Sequence, residues 1–537
     1  MPLMTGSDAV IQSLIAEEID LVFGIPGYHT EHLYGRLMQQ NKVRHILVRH
    51  EQGAGFMAIG AARVTGRAGT IFSTAGPGAL NGATPMGEAY GDSVPLLNIM
   101  AEDMSQYLYQ DRGIVHESQD QFGVFSRLSQ WSKQVSGPAE IPAAIHEGLR
   151  RTQVNRPRPV VVEIPVDFFT DEAEVEILRA ETHDRPAGDP ADIQRAARIL
   201  AEAERPLIWA GGGTISSGAW AELQSLAERL DAPVITTSSG KGSIPEDHPL
   251  SVGNLANQGP VKRLMSESDA MLAVGARFGY LPTAKWSIPI PERLIHVDID
   301  PTQPGKNFPV EIGIHADARL GLLGLIDALD GAECEHGEWV SAAQSAHKSV
   351  WDEMERRAPV EMAIQRAVRQ ALPDETIIAA DPHLLGYWGR SFIPVNQPRT
   401  WLYDLAFGTL GYAFPVALGA KLVAPDKPVV ALTGDGGFLF TSQELATAVQ
   451  LGINVVTVIF NDNAYGAIKE DFLRDFGRAY EVDLVNPDFV KYAESFGAVG
   501  LRASPEQLGE TLKHALTLER PCLIDVPVTL QRPLVMS

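Results

Sequence analysis

Two polar turns in the C-terminal third of the chain carry residue types that bind phosphate and metal ions. The first follows an apolar run at residues 429–432 and consists of Gly434, Asp435, Gly436 and Gly437. Glycines let backbone amides approach an anion, and a helix that begins just behind the turn adds a favourable dipole. Asp435 would repel that anion unless a divalent cation lay between them, and magnesium is usually held by one or two carboxylates together with phosphate oxygens. The turn therefore predicts a magnesium and diphosphate site, with a plain surface turn as the alternative.

The second turn lies one crossover further along the chain. It follows an apolar run at residues 455–460 and consists of Asn461, Asp462, Asn463, Ala464, Tyr465 and Gly466. The 24 residues between Gly436 and Asn461 match the length of one strand–helix–strand crossover. Both turns should then open into one crevice at the carboxyl edge of a parallel sheet, where ligands bind in such folds.

The elements that must position these turns alternate along the whole chain. Short β-branched runs alternate with helix-length amphipathic segments, which is typical of parallel sheets with helices on both faces. The sequence predicts an α/β protein of three doubly wound parallel-sheet domains at residues 1–175, 190–332 and 358–537, with a charged linker at 171–190 and a polar helical connector at 331–359. The predicted strands are 21–23, 45–48, 70–73, 96–100, 160–164, 206–210, 233–237, 270–274, 294–298, 376–380, 429–432, 455–460 and 522–526.

Composition narrows the class of protein. The chain has 537 residues, a formal net charge of −23 and 45% hydrophobic residues, which excludes a disordered chain and argues against nucleic acid or an anionic membrane as a partner. Cys334 and Cys522 are too few for a disulfide framework or a thiolate zinc site. Because the sequence has no basic leader and no apolar run of about 20 residues, we expect a cytoplasmic protein without a membrane span.

The two turns occur together with further motifs, most of them glycine-rich, at residues 23–27, 74–81, 88–95, 240–242, 274–277 and 408–412. With these motifs the chain resembles the thiamine-diphosphate enzymes of the acetolactate synthase large-subunit and 2-oxo acid decarboxylase family. The resemblance covers essentially the whole chain and implies pyrimidine-binding, central and diphosphate-binding domains in that order. It also implies thiamine diphosphate and Mg²⁺ as cofactors and a 2-oxo acid or aldehyde as substrate.

The resemblance assigns the C-terminal part of the site residue by residue. Asp435 and Asp462 would bind magnesium through their side chains, and Ala464 through its backbone oxygen. Position 462 is more often asparagine in the family, so Asp462 adds one negative charge at the metal. Leu410 would wedge between the two rings of the cofactor and bend it, and the Gly408 carbonyl would accept a hydrogen bond from the exocyclic amine. The other implied cofactor contacts here are His383, Gly434, Gly436, Gly437, Tyr465 and Gly466.

In the N-terminal domain the family places a glutamate where this chain has Glu51, at the start of an apolar helix. Its hydrogen bond to the aminopyrimidine ring allows the ring's amino group to remove the thiazolium proton. Pro26, Gly27 and Asn81 are the remaining implied cofactor contacts. From the residue alone, the alternative is that Glu51 only complements the helix dipole.

Two histidines, His29 and His116, are candidates for moving protons during the reaction. Imidazole can carry a proton near neutral pH, and both residues flank loops where the resemblance places the site. His29 occupies a position where benzaldehyde lyase also resembles this chain with a histidine. His116 occupies one where acetolactate synthases tend to have glutamine. A structural role is the alternative for each.

The reaction outcome stays open at this stage. Protonation of the enamine intermediate would give an aldehyde, whereas its attack on a second carbonyl would be an acetolactate synthase-like carboligation. The chain lacks the Asp-Ala-Phe-Gln-Glu loop of biosynthetic acetolactate synthases, and residues 24–29 and 50–56 look closer to the guanidino-oxopentanoate decarboxylase branch. A cationic substrate tail could then be received by Glu470, Asp471 or Asp475.

Two other classes remain as alternatives. The first alternative is an FAD-dependent oxidase or carboligase, because some relatives hold FAD in the central domain. The glycine turn 211–213 and Arg277 could contact such a nucleotide. A non-catalytic paralogue would be expected to lack Glu51, Asp435 or Asp462, and all three are present.

The family builds its site between the first domain of one subunit and the third domain of another. The resemblance therefore implies a homo-oligomer, either a dimer or a homotetramer that is a dimer of dimers.

Overall fold

The computed structural model describes residues 1–329 and 334–535 and contains three six-stranded sheets. Every strand pair in these three sheets is parallel, so the predicted α/β fold of three doubly wound domains is confirmed. No helix within these residues is long and apolar enough to cross a membrane. The domain limits 1–175, 190–332 and 358–537 stay a prediction. Positions 332 and 537, and residues 331–333 of the predicted connector, lie outside the described residues.

The N-terminal domain has a sheet of order β3-β2-β4-β5-β7-β6. A separate antiparallel pair joins β1, at the start of the chain, to β8. β8 lies within the segment 171–190, which the sequence predicts as a linker. The strands are β1 Leu3–Thr5, β2 Leu21–Gly24, β3 Arg44–Leu47, β4 Gly69–Ser73, β5 Leu96–Glu102, β6 Trp131–Gln134, β7 Val160–Pro165 and β8 Glu172–Glu174. The helices are α1 Gly6–Ala16, α2 Glu31–Leu37, α3 Glu51–Thr65, α4 Pro77–Asn81, α5 Ala83–Asp92, α6 Gln121–Leu128 and α7 Ile141–Val154.

The central domain has a sheet of order β11-β10-β9-β12-β13-β14. Its strands are β9 Pro206–Ala210, β10 Val234–Thr236, β11 Ser251–Gly253, β12 Ala270–Val274, β13 Arg293–Asp298 and β14 Ile312–His315. Its helices are α8 Pro190–Ala201, α9 Gly212–Ser216, α10 Trp220–Leu230, α11 Gly259–Glu267 and α12 Ala318–Ala328, and the long helix α13 Gly337–Arg357 follows as the predicted helical connector.

The C-terminal domain has the order β16-β15-β17-β18-β20-β19, which repeats the topology of the N-terminal sheet. Its strands are β15 Ile377–Ala380, β16 Trp401–Tyr403, β17 Val429–Gly434, β18 Val456–Asn461, β19 Val499–Arg502 and β20 Cys522–Pro527. Its helices are α14 Pro359–Ala371, α15 Leu384–Phe392, α16 Ala413–Val423, α17 Asp435–Thr441, α18 Glu444–Leu451, α19 Gly466–Phe476, α20 Phe489–Phe496 and α21 Leu508–Leu516.

Helices α3 and α16 join the first and third domains in one hydrophobic core. The two helices approach so closely that a Cβ at Gly60 would lie 2.0 Å from the Val416 carbonyl oxygen, and one at Gly419 would lie 1.9 Å from that of Met57. Only glycine fits at these two crossings. The contact fixes the position of α3, and therefore of Glu51 at its start, relative to the C-terminal sheet.

Candidate active site

The two polar turns of the C-terminal domain open into one cavity at the carboxyl edge of the sheet. β17 and β18 are neighbours, with Gly434 opposite Phe460. The strand order reverses direction between β15 and β17, and ligands in such sheets usually bind at this switch point. The cavity has a volume of about 370 Å³ and is lined by all the predicted C-terminal site residues, which are His383, Gly408, Leu410, Gly434, Asp435, Gly436, Gly437, Asp462, Ala464, Tyr465 and Gly466.

Asp435 and Asp462 place two carboxylates close together on this cavity wall. Asp435 is 2% exposed and begins helix α17, with Gly434 as the N-cap. Burial raises the pKa of Asp435. Burial and the nearby Asp435 carboxylate raise the pKa of Asp462 to about 6. Because a cation between two such groups would favour their ionised forms, the pair could hold a divalent metal.

A metal at this point would need oxygen ligands besides the two carboxylates. Within residues 1–329 and 334–535, no group of three His, Cys, Asp or Glu side chains converges as a metal site. Magnesium commonly completes its shell with backbone oxygens, water and phosphate, so the Ala464 carbonyl and a phosphorylated ligand fit its requirements. Asn486 donates a hydrogen bond from Nδ2 to Asp435 Oδ2 at 2.6 Å and orients that carboxylate.

His383 presents an unpartnered ring nitrogen at the same cavity. Its Nδ1 donates to the Asp381 carbonyl at 2.9 Å, and its ring stacks on Phe460 at a centroid distance of 5.7 Å. Burial lowers the pKa of His383 to about 4, so the ring is neutral. Its Nε2 is buried without a partner. A buried polar atom without a partner is unfavourable unless a ligand or water contacts it, which agrees with a ligand in this cavity.

The segment that carries Gly408 and Leu410 is held by acidic side chains. The Asp92 carboxylate accepts hydrogen bonds from the backbone amides of Leu405 and Ala406 at 3.2 and 3.0 Å. Thr409 donates its amide hydrogen to Asp404 at 2.5 Å and its hydroxyl hydrogen to Glu88 at 3.0 Å. Since Asp92 and Glu88 belong to α5, the N-terminal domain fixes this edge of the C-terminal cavity.

Glu51 lies at the first position of α3 and is 8% exposed. Asn81 Nδ2 donates to Glu51 Oε2 at 2.9 Å. A Cβ at Gly78 would lie 3.3 Å from Glu51 Oε1, so the segment that contains α4 packs directly against the carboxylate. Burial and the Glu51 charge together raise the pKa of Tyr34, whose hydroxyl lies 3.0 Å from His45 Nε2.

The turn at residues 74–81 also contacts both candidate histidines. Thr74 Oγ1 lies 3.4 Å from His29 Nδ1, and Gly76, with φ of +60°, packs against the backbone carbonyl of His116. The rings of His29 and His116 are 5.1 Å apart. His116 has a left-handed backbone with φ of +73°, and its Nδ1 is buried without a partner. The fold therefore brings Glu51, His29 and His116 around one turn.

The predicted N-terminal site residues, here called the N-terminal cluster, do not line the C-terminal cavity; they are Pro26, Gly27, His29, Glu51, Asn81 and His116. Pro26 and Gly27 line a groove of about 790 Å³ together with Tyr28 and Tyr34. Among the described residues, no hydrogen bond joins Pro26, Gly27, His29, Glu51, Asn81 or His116 to a residue that lines the C-terminal cavity. The residues that line the N-terminal groove and those that line the C-terminal cavity therefore form two separate sets.

Sequence reasoning missed three residues that hold these groups in place. Asn486 orients Asp435, Asp103 accepts from His29 Nε2 at 3.2 Å, and Glu444 accepts from the backbone amide of His50 at 3.0 Å, directly before Glu51. None of the three belongs to a local motif. Their roles arise from contacts between segments far apart in the sequence, for which a single sequence carries no signal.

Glu470, Asp471 and Asp475, the predicted acceptors for a cationic substrate tail, form ion pairs with arginines. Arg532 pairs with Asp471 at 2.5 Å and donates its backbone amide hydrogen to Glu470 at 3.0 Å. Arg474 pairs with Asp475 at 2.8 Å. None of these three acids lines the C-terminal cavity. The structure therefore does not support them as acceptors for a cationic substrate tail.

A second, larger cavity of about 1090 Å³ lies between the central domain and its neighbours. The central sheet has the strand order of dinucleotide-binding folds, with its switch point between β9 and β12. The turn 211–213 and Arg277 lie at that point and line the cavity, as does Arg156, whose Nη2 is buried without a partner. Leu281 and Leu405 line both this cavity and the C-terminal one, so the two cavities are neighbours.

Comparison with known protein families covers most of the chain. Residues 4–124 match the thiamine pyrophosphate enzyme N-terminal TPP binding domain. Residues 193–325 match the central domain of the same enzymes, and residues 385–526 match their C-terminal TPP binding domain. The three matches follow one another in the order of the three sheets.

Similar proteins extend over nearly the full length. A probable 2-ketoarginine decarboxylase of Pseudomonas aeruginosa is 37% identical over 92% of this chain and 88% of its own. A probable acetolactate synthase large subunit of Methanocaldococcus jannaschii is 36% identical over 98% of this chain and 92% of its own. The acetolactate synthase large subunit of Corynebacterium glutamicum is 35% identical, with 97% and 86% covered.

Proposed function

Because this chain belongs to the family of thiamine pyrophosphate enzymes of the acetolactate synthase and 2-ketoarginine decarboxylase type, we propose that it is a magnesium-dependent enzyme that decarboxylates a 2-oxo acid. The product would leave as an aldehyde or be joined to a second carbonyl compound. The observation that carries the proposal is the C-terminal cavity, where the Asp435 and Asp462 turns meet at the switch point of the sheet.

In this proposal the C-terminal cavity holds the diphosphate and the metal. Asp435, Asp462 and the Ala464 carbonyl would hold Mg²⁺, which would supply positive charge to offset the negative charge of the diphosphate. The backbone amides at the start of α17 would face the phosphate oxygens. The Leu410 side chain would press on the cofactor from the segment that Asp92 and Glu88 anchor, and so fix its bent conformation.

The N-terminal cluster would act on the reacting end of the cofactor. Thiamine diphosphate, when bound, supplies a carbanion that adds to the 2-oxo group and accepts the electron pair as carbon dioxide leaves. Glu51 would hold a proton at the pyrimidine ring, and its hydrogen bond from Asn81 fixes the direction of the carboxylate. His29 and His116 would deliver or remove a proton at the substrate carbon and oxygen.

We further propose that the working enzyme is a homo-oligomer in which two half-sites, the N-terminal cluster and the C-terminal cavity, come from different subunits. The support is that Glu51 is not among the residues that line the C-terminal cavity of the same chain. Exposed apolar side chains border both halves, among them Tyr28 and Val115 on the N-terminal side and Phe407, Ile468 and Phe476 on the C-terminal side. A dimer, or a homotetramer built as a dimer of dimers, would join the halves. We also propose a cytoplasmic location.

Aldehyde formation is the outcome that the histidines favour. His29 and His116 lie together beside the turn 74–81, and a proton donor close to the cofactor promotes protonation of the reacting carbon over ligation. The similar 2-ketoarginine decarboxylase suggests 2-oxo-5-guanidinopentanoate as the substrate. Since Glu470, Asp471 and Asp475 are paired with arginines, its guanidinium would be received by other groups.

A panel of 2-oxo acids tests the proposal. The purified protein is supplied with thiamine diphosphate and Mg²⁺, and carbon dioxide, aldehyde and acyloin are measured together for pyruvate, 2-oxobutanoate, a branched-chain 2-oxo acid and 2-oxo-5-guanidinopentanoate. We expect carbon dioxide and aldehyde in equal amounts from the preferred acid. Acyloin or acetolactate as the main product would establish carboligation instead, and no carbon dioxide from any acid would contradict the proposal.

A second candidate function, in which the central domain holds FAD, is favoured by the central cavity. Its position at the switch point of a dinucleotide-type sheet, its volume of about 1090 Å³ and the unpartnered Arg156 Nη2 suit an anionic nucleotide. The absorbance spectrum of the protein after reconstitution with FAD tests this. Stoichiometric retention of a yellow chromophore through gel filtration would support an FAD-dependent carboligase or oxidase, and oxygen uptake with substrate would identify the oxidase. A colourless protein would exclude both.

A further inference from the structure

Two buried glutamates, Glu102 and Glu163, lie beneath the candidate histidines and have no role in the chemistry described above. Glu102 ends β5 and is 5% exposed, whereas Glu163 lies in the neighbouring strand β7 and is 0% exposed. The register pairs Met100 with Glu163, and residues two apart in a strand point to the same face. The two carboxyl groups therefore point to one face and lie close enough for each to affect the pKa of the other.

Hydrogen bonds connect this pair to the candidate site on two sides. On one side, Glu102 Oε1 accepts from the backbone amide of Asp103 at 2.9 Å, and Asp103 Oδ1 lies 3.2 Å from His29 Nε2. On the other, Gln121 donates to Glu163 Oε1 at 2.9 Å and accepts from the backbone amide of Gly76 at 2.7 Å. The pair is thus connected to Asp103, which contacts His29, and through Gln121 to the turn 74–81, which contacts His116.

The charges around the pair require a shared proton. Among the described residues no Lys or Arg forms an ion pair with Glu102 or Glu163. Two carboxyl groups in contact cannot both ionise in a buried site without a cation. Burial raises the pKa of Glu102, and burial together with the Glu102 charge raises the pKa of Glu163 to about 8. At neutral pH the pair therefore carries one proton, which belongs to both groups.

The hydrogen-bond pattern also leaves room for that proton on Glu102, so the two groups share it although burial and the Glu102 charge raise the pKa of Glu163 to about 8. Both oxygens of Glu163 already accept amide hydrogens, Oε1 from Gln121 and Oε2 from Gln134 at 2.6 Å. Glu102 accepts through Oε1 only, so its other oxygen can carry the proton and donate to Glu163. A glutamine at position 102 would reproduce both contacts, because its carbonyl can accept from the Asp103 amide and its NH₂ group can donate to Glu163.

His29 has a defined tautomer in this arrangement. With Asp103 Oδ1 as the acceptor, Nε2 carries the hydrogen and Nδ1 is left to accept from the Thr74 hydroxyl. Burial lowers the pKa of His29 more strongly than Asp103 raises it, so the ring is neutral. Any added negative charge next to Asp103 would favour the protonated ring and would change this state.

We propose that Glu102 and Glu163 form a proton-sharing carboxyl pair that positions Asp103 and thereby holds His29 neutral, with its Nδ1 directed to Thr74. The pair itself touches neither substrate nor cofactor. Loss of the shared proton would place a second negative charge beside Asp103 and would change the protonation of His29. The proposal rests on the proposed function only in giving His29 a part in proton transfer.

Further titratable groups face the pair from the neighbouring elements. From β5 the pair faces Asp103, from the start of α6 it faces Asp120, and from the loop before α6 it faces the Tyr109 phenol. Beyond Asp103 lie His29 and then His116. Asp120 and Asp103 add negative charge and so retain the proton on the pair, and burial raises the pKa of Tyr109, so that phenol stays neutral through the pH range concerned.

Nuclear magnetic resonance of the full-length protein labelled with ¹⁵N-histidine tests the proposal without substrate or cofactor. The His29 signals are assigned by their loss in His29→Gln. In the wild type we expect a neutral ring with hydrogen on Nε2 at pH 7, and a second change of these signals at alkaline pH as the pair loses its proton. His29 signals that stay constant from pH 7 to pH 9 would overturn the proposal on the wild-type protein alone.

Variants then identify the titrating group. Glu102→Gln is expected to keep the Nε2–H tautomer and to abolish the alkaline change, whereas Glu102→Ala should mix the two tautomers. Glu140→Gln, an exchange of an exposed glutamate near β6, is the matched control and should behave as the wild type. Persistence of the alkaline change in Glu102→Gln would contradict the assignment.

A pH profile links the pair to turnover and separates the two proposals. The alkaline limb of kcat should move upward by about one pH unit or more in Glu102→Gln and stay in place in Glu140→Gln. If the His29 signals change as expected but the alkaline limb of kcat does not move, the pair positions His29 without governing turnover. That outcome would overturn the link between the pair and turnover. If no 2-oxo acid yields carbon dioxide, the proposed function fails. The spectroscopic test needs no substrate or cofactor, so it still shows whether the Glu102–Glu163 pair controls the state of His29.

Discussion

The Glu444 carboxylate of the C-terminal domain accepts hydrogen bonds from the backbone amides of Arg49 and His50, at 3.1 and 3.0 Å, immediately before Glu51. The contact is so close that a Cβ at Gly53 would lie 2.3 Å from Glu444 Oε1. Glu444 begins α18, only nine residues after the Asp435 turn. One side chain therefore connects the start of α3, with its candidate catalytic glutamate, to the helices behind the predicted metal turn of the same chain.

The first prediction concerns the removal of this link. Glu444→Ala would leave the Arg49 and His50 amides and the Thr447 hydroxyl without their acceptor, and each unsatisfied buried group costs about 1–3 kcal/mol. We expect a lower melting temperature and weaker binding of thiamine diphosphate, because the start of α3 is no longer fixed. Calorimetric unfolding and cofactor titration measure the two effects.

Glu444→Gln is the matched control for this change, since its amide oxygen can still accept from the backbone. Burial raises the pKa of Glu444 to about 7 in the folded protein, so the wild type loses stability as the pH rises from about 4.5 to 7. Glutamine does not titrate, and the variant should lose less stability over that range. Equal pH dependence of the melting temperature in the two proteins would count against a raised pKa.

The second prediction concerns Glu51. Glu51→Gln should slow exchange of the thiazolium proton of bound thiamine diphosphate by about 10²–10⁴-fold, the usual contribution of a positioned acid or base, while the cofactor still binds. Quenched-flow exchange into deuterated water measures it. Asn81→Ala, which removes the donor to Glu51 Oε2, should have an intermediate effect.

Glu338→Gln provides the comparison for Glu51→Gln. Glu338 also lies in the first turn of a helix, α13, but it is exposed and remote from both half-sites. A glutamate that only complements a helix dipole would respond alike at both positions, with a small change in stability. Unchanged proton exchange in Glu51→Gln would reject the catalytic assignment and leave the dipole interpretation.

Much of the fold could be predicted because buried parallel strands are continuous apolar runs. In the three six-stranded sheets, every strand that the sequence missed is an edge strand: β6, β11, β14, β16 and β19. β14 alternates buried and exposed residues, and β6 is half-buried throughout. β11 and β16 have three residues each. Edge strands are short or partly polar, so their pattern is weak, and their pairing is determined by the neighbouring strand.

The site was predictable where chemistry and turn geometry lie within a few residues of each other. The Asp435 and Asp462 turns follow adjacent strands, so sequence spacing sufficed to place both at one cavity. Asn486, in contrast, reaches Asp435 from 51 residues away, and the contact between Glu102 and Glu163 depends on the register of β5 and β7. Such contacts follow from tertiary packing, and no local pattern indicates them.

The third prediction concerns the metal. Removing divalent ions with a chelator should release thiamine diphosphate, because Asp435 and Asp462 would then repel the diphosphate directly. Asn486→Ala removes the hydrogen bond that orients Asp435, and loss of such an outer contact usually lowers metal affinity by about 10–100-fold. Titration with Mg²⁺ at saturating thiamine diphosphate, read by enzyme activity and by cofactor retention, measures the shift.

Variants of the two acids distinguish their roles at the metal. Asp435→Asn should weaken Mg²⁺ binding more than Asn486→Ala does, because it removes a charged ligand. Asp462→Asn should retain metal-dependent activity, since the amide oxygen can still coordinate and one of two repelling charges is lost. Asn41→Ala, at an exposed position in the N-terminal domain, is the control. Equal Mg²⁺ affinity in Asp435→Asn and the wild type would contradict the metal site.

The fourth prediction concerns Glu88, which accepts from the Thr409 hydroxyl beside Leu410. Burial, and then the charge of Asp92, raise the pKa of Glu88 to about 8, whereas Arg63 lowers it to a smaller extent. Because the folded protein holds a proton that the unfolded chain releases near pH 4.5, this group stabilises the fold at low pH, and that stability is lost between about pH 4.5 and 8.

Glu88→Gln should therefore flatten the pH dependence of unfolding between pH 5 and 8. A proton held through that range corresponds to about 1.4 kcal/mol per pH unit at most, and in a domain of this size about 1 kcal/mol shifts the melting temperature by 2–4 °C. The pair Glu102 and Glu163 titrates in the same range, so Glu88→Gln combined with Glu102→Gln should flatten the curve further, by the sum of the two single effects, because the sites share no hydrogen-bond partner.

Thr409→Val, which removes the hydroxyl but no titrating group, should keep the slope of the wild type and weaken cofactor binding, since it frees the segment that carries Leu410. If Thr409→Val changed the slope as much as Glu88→Gln, the pH dependence would come from movement of the segment and not from the proton on Glu88.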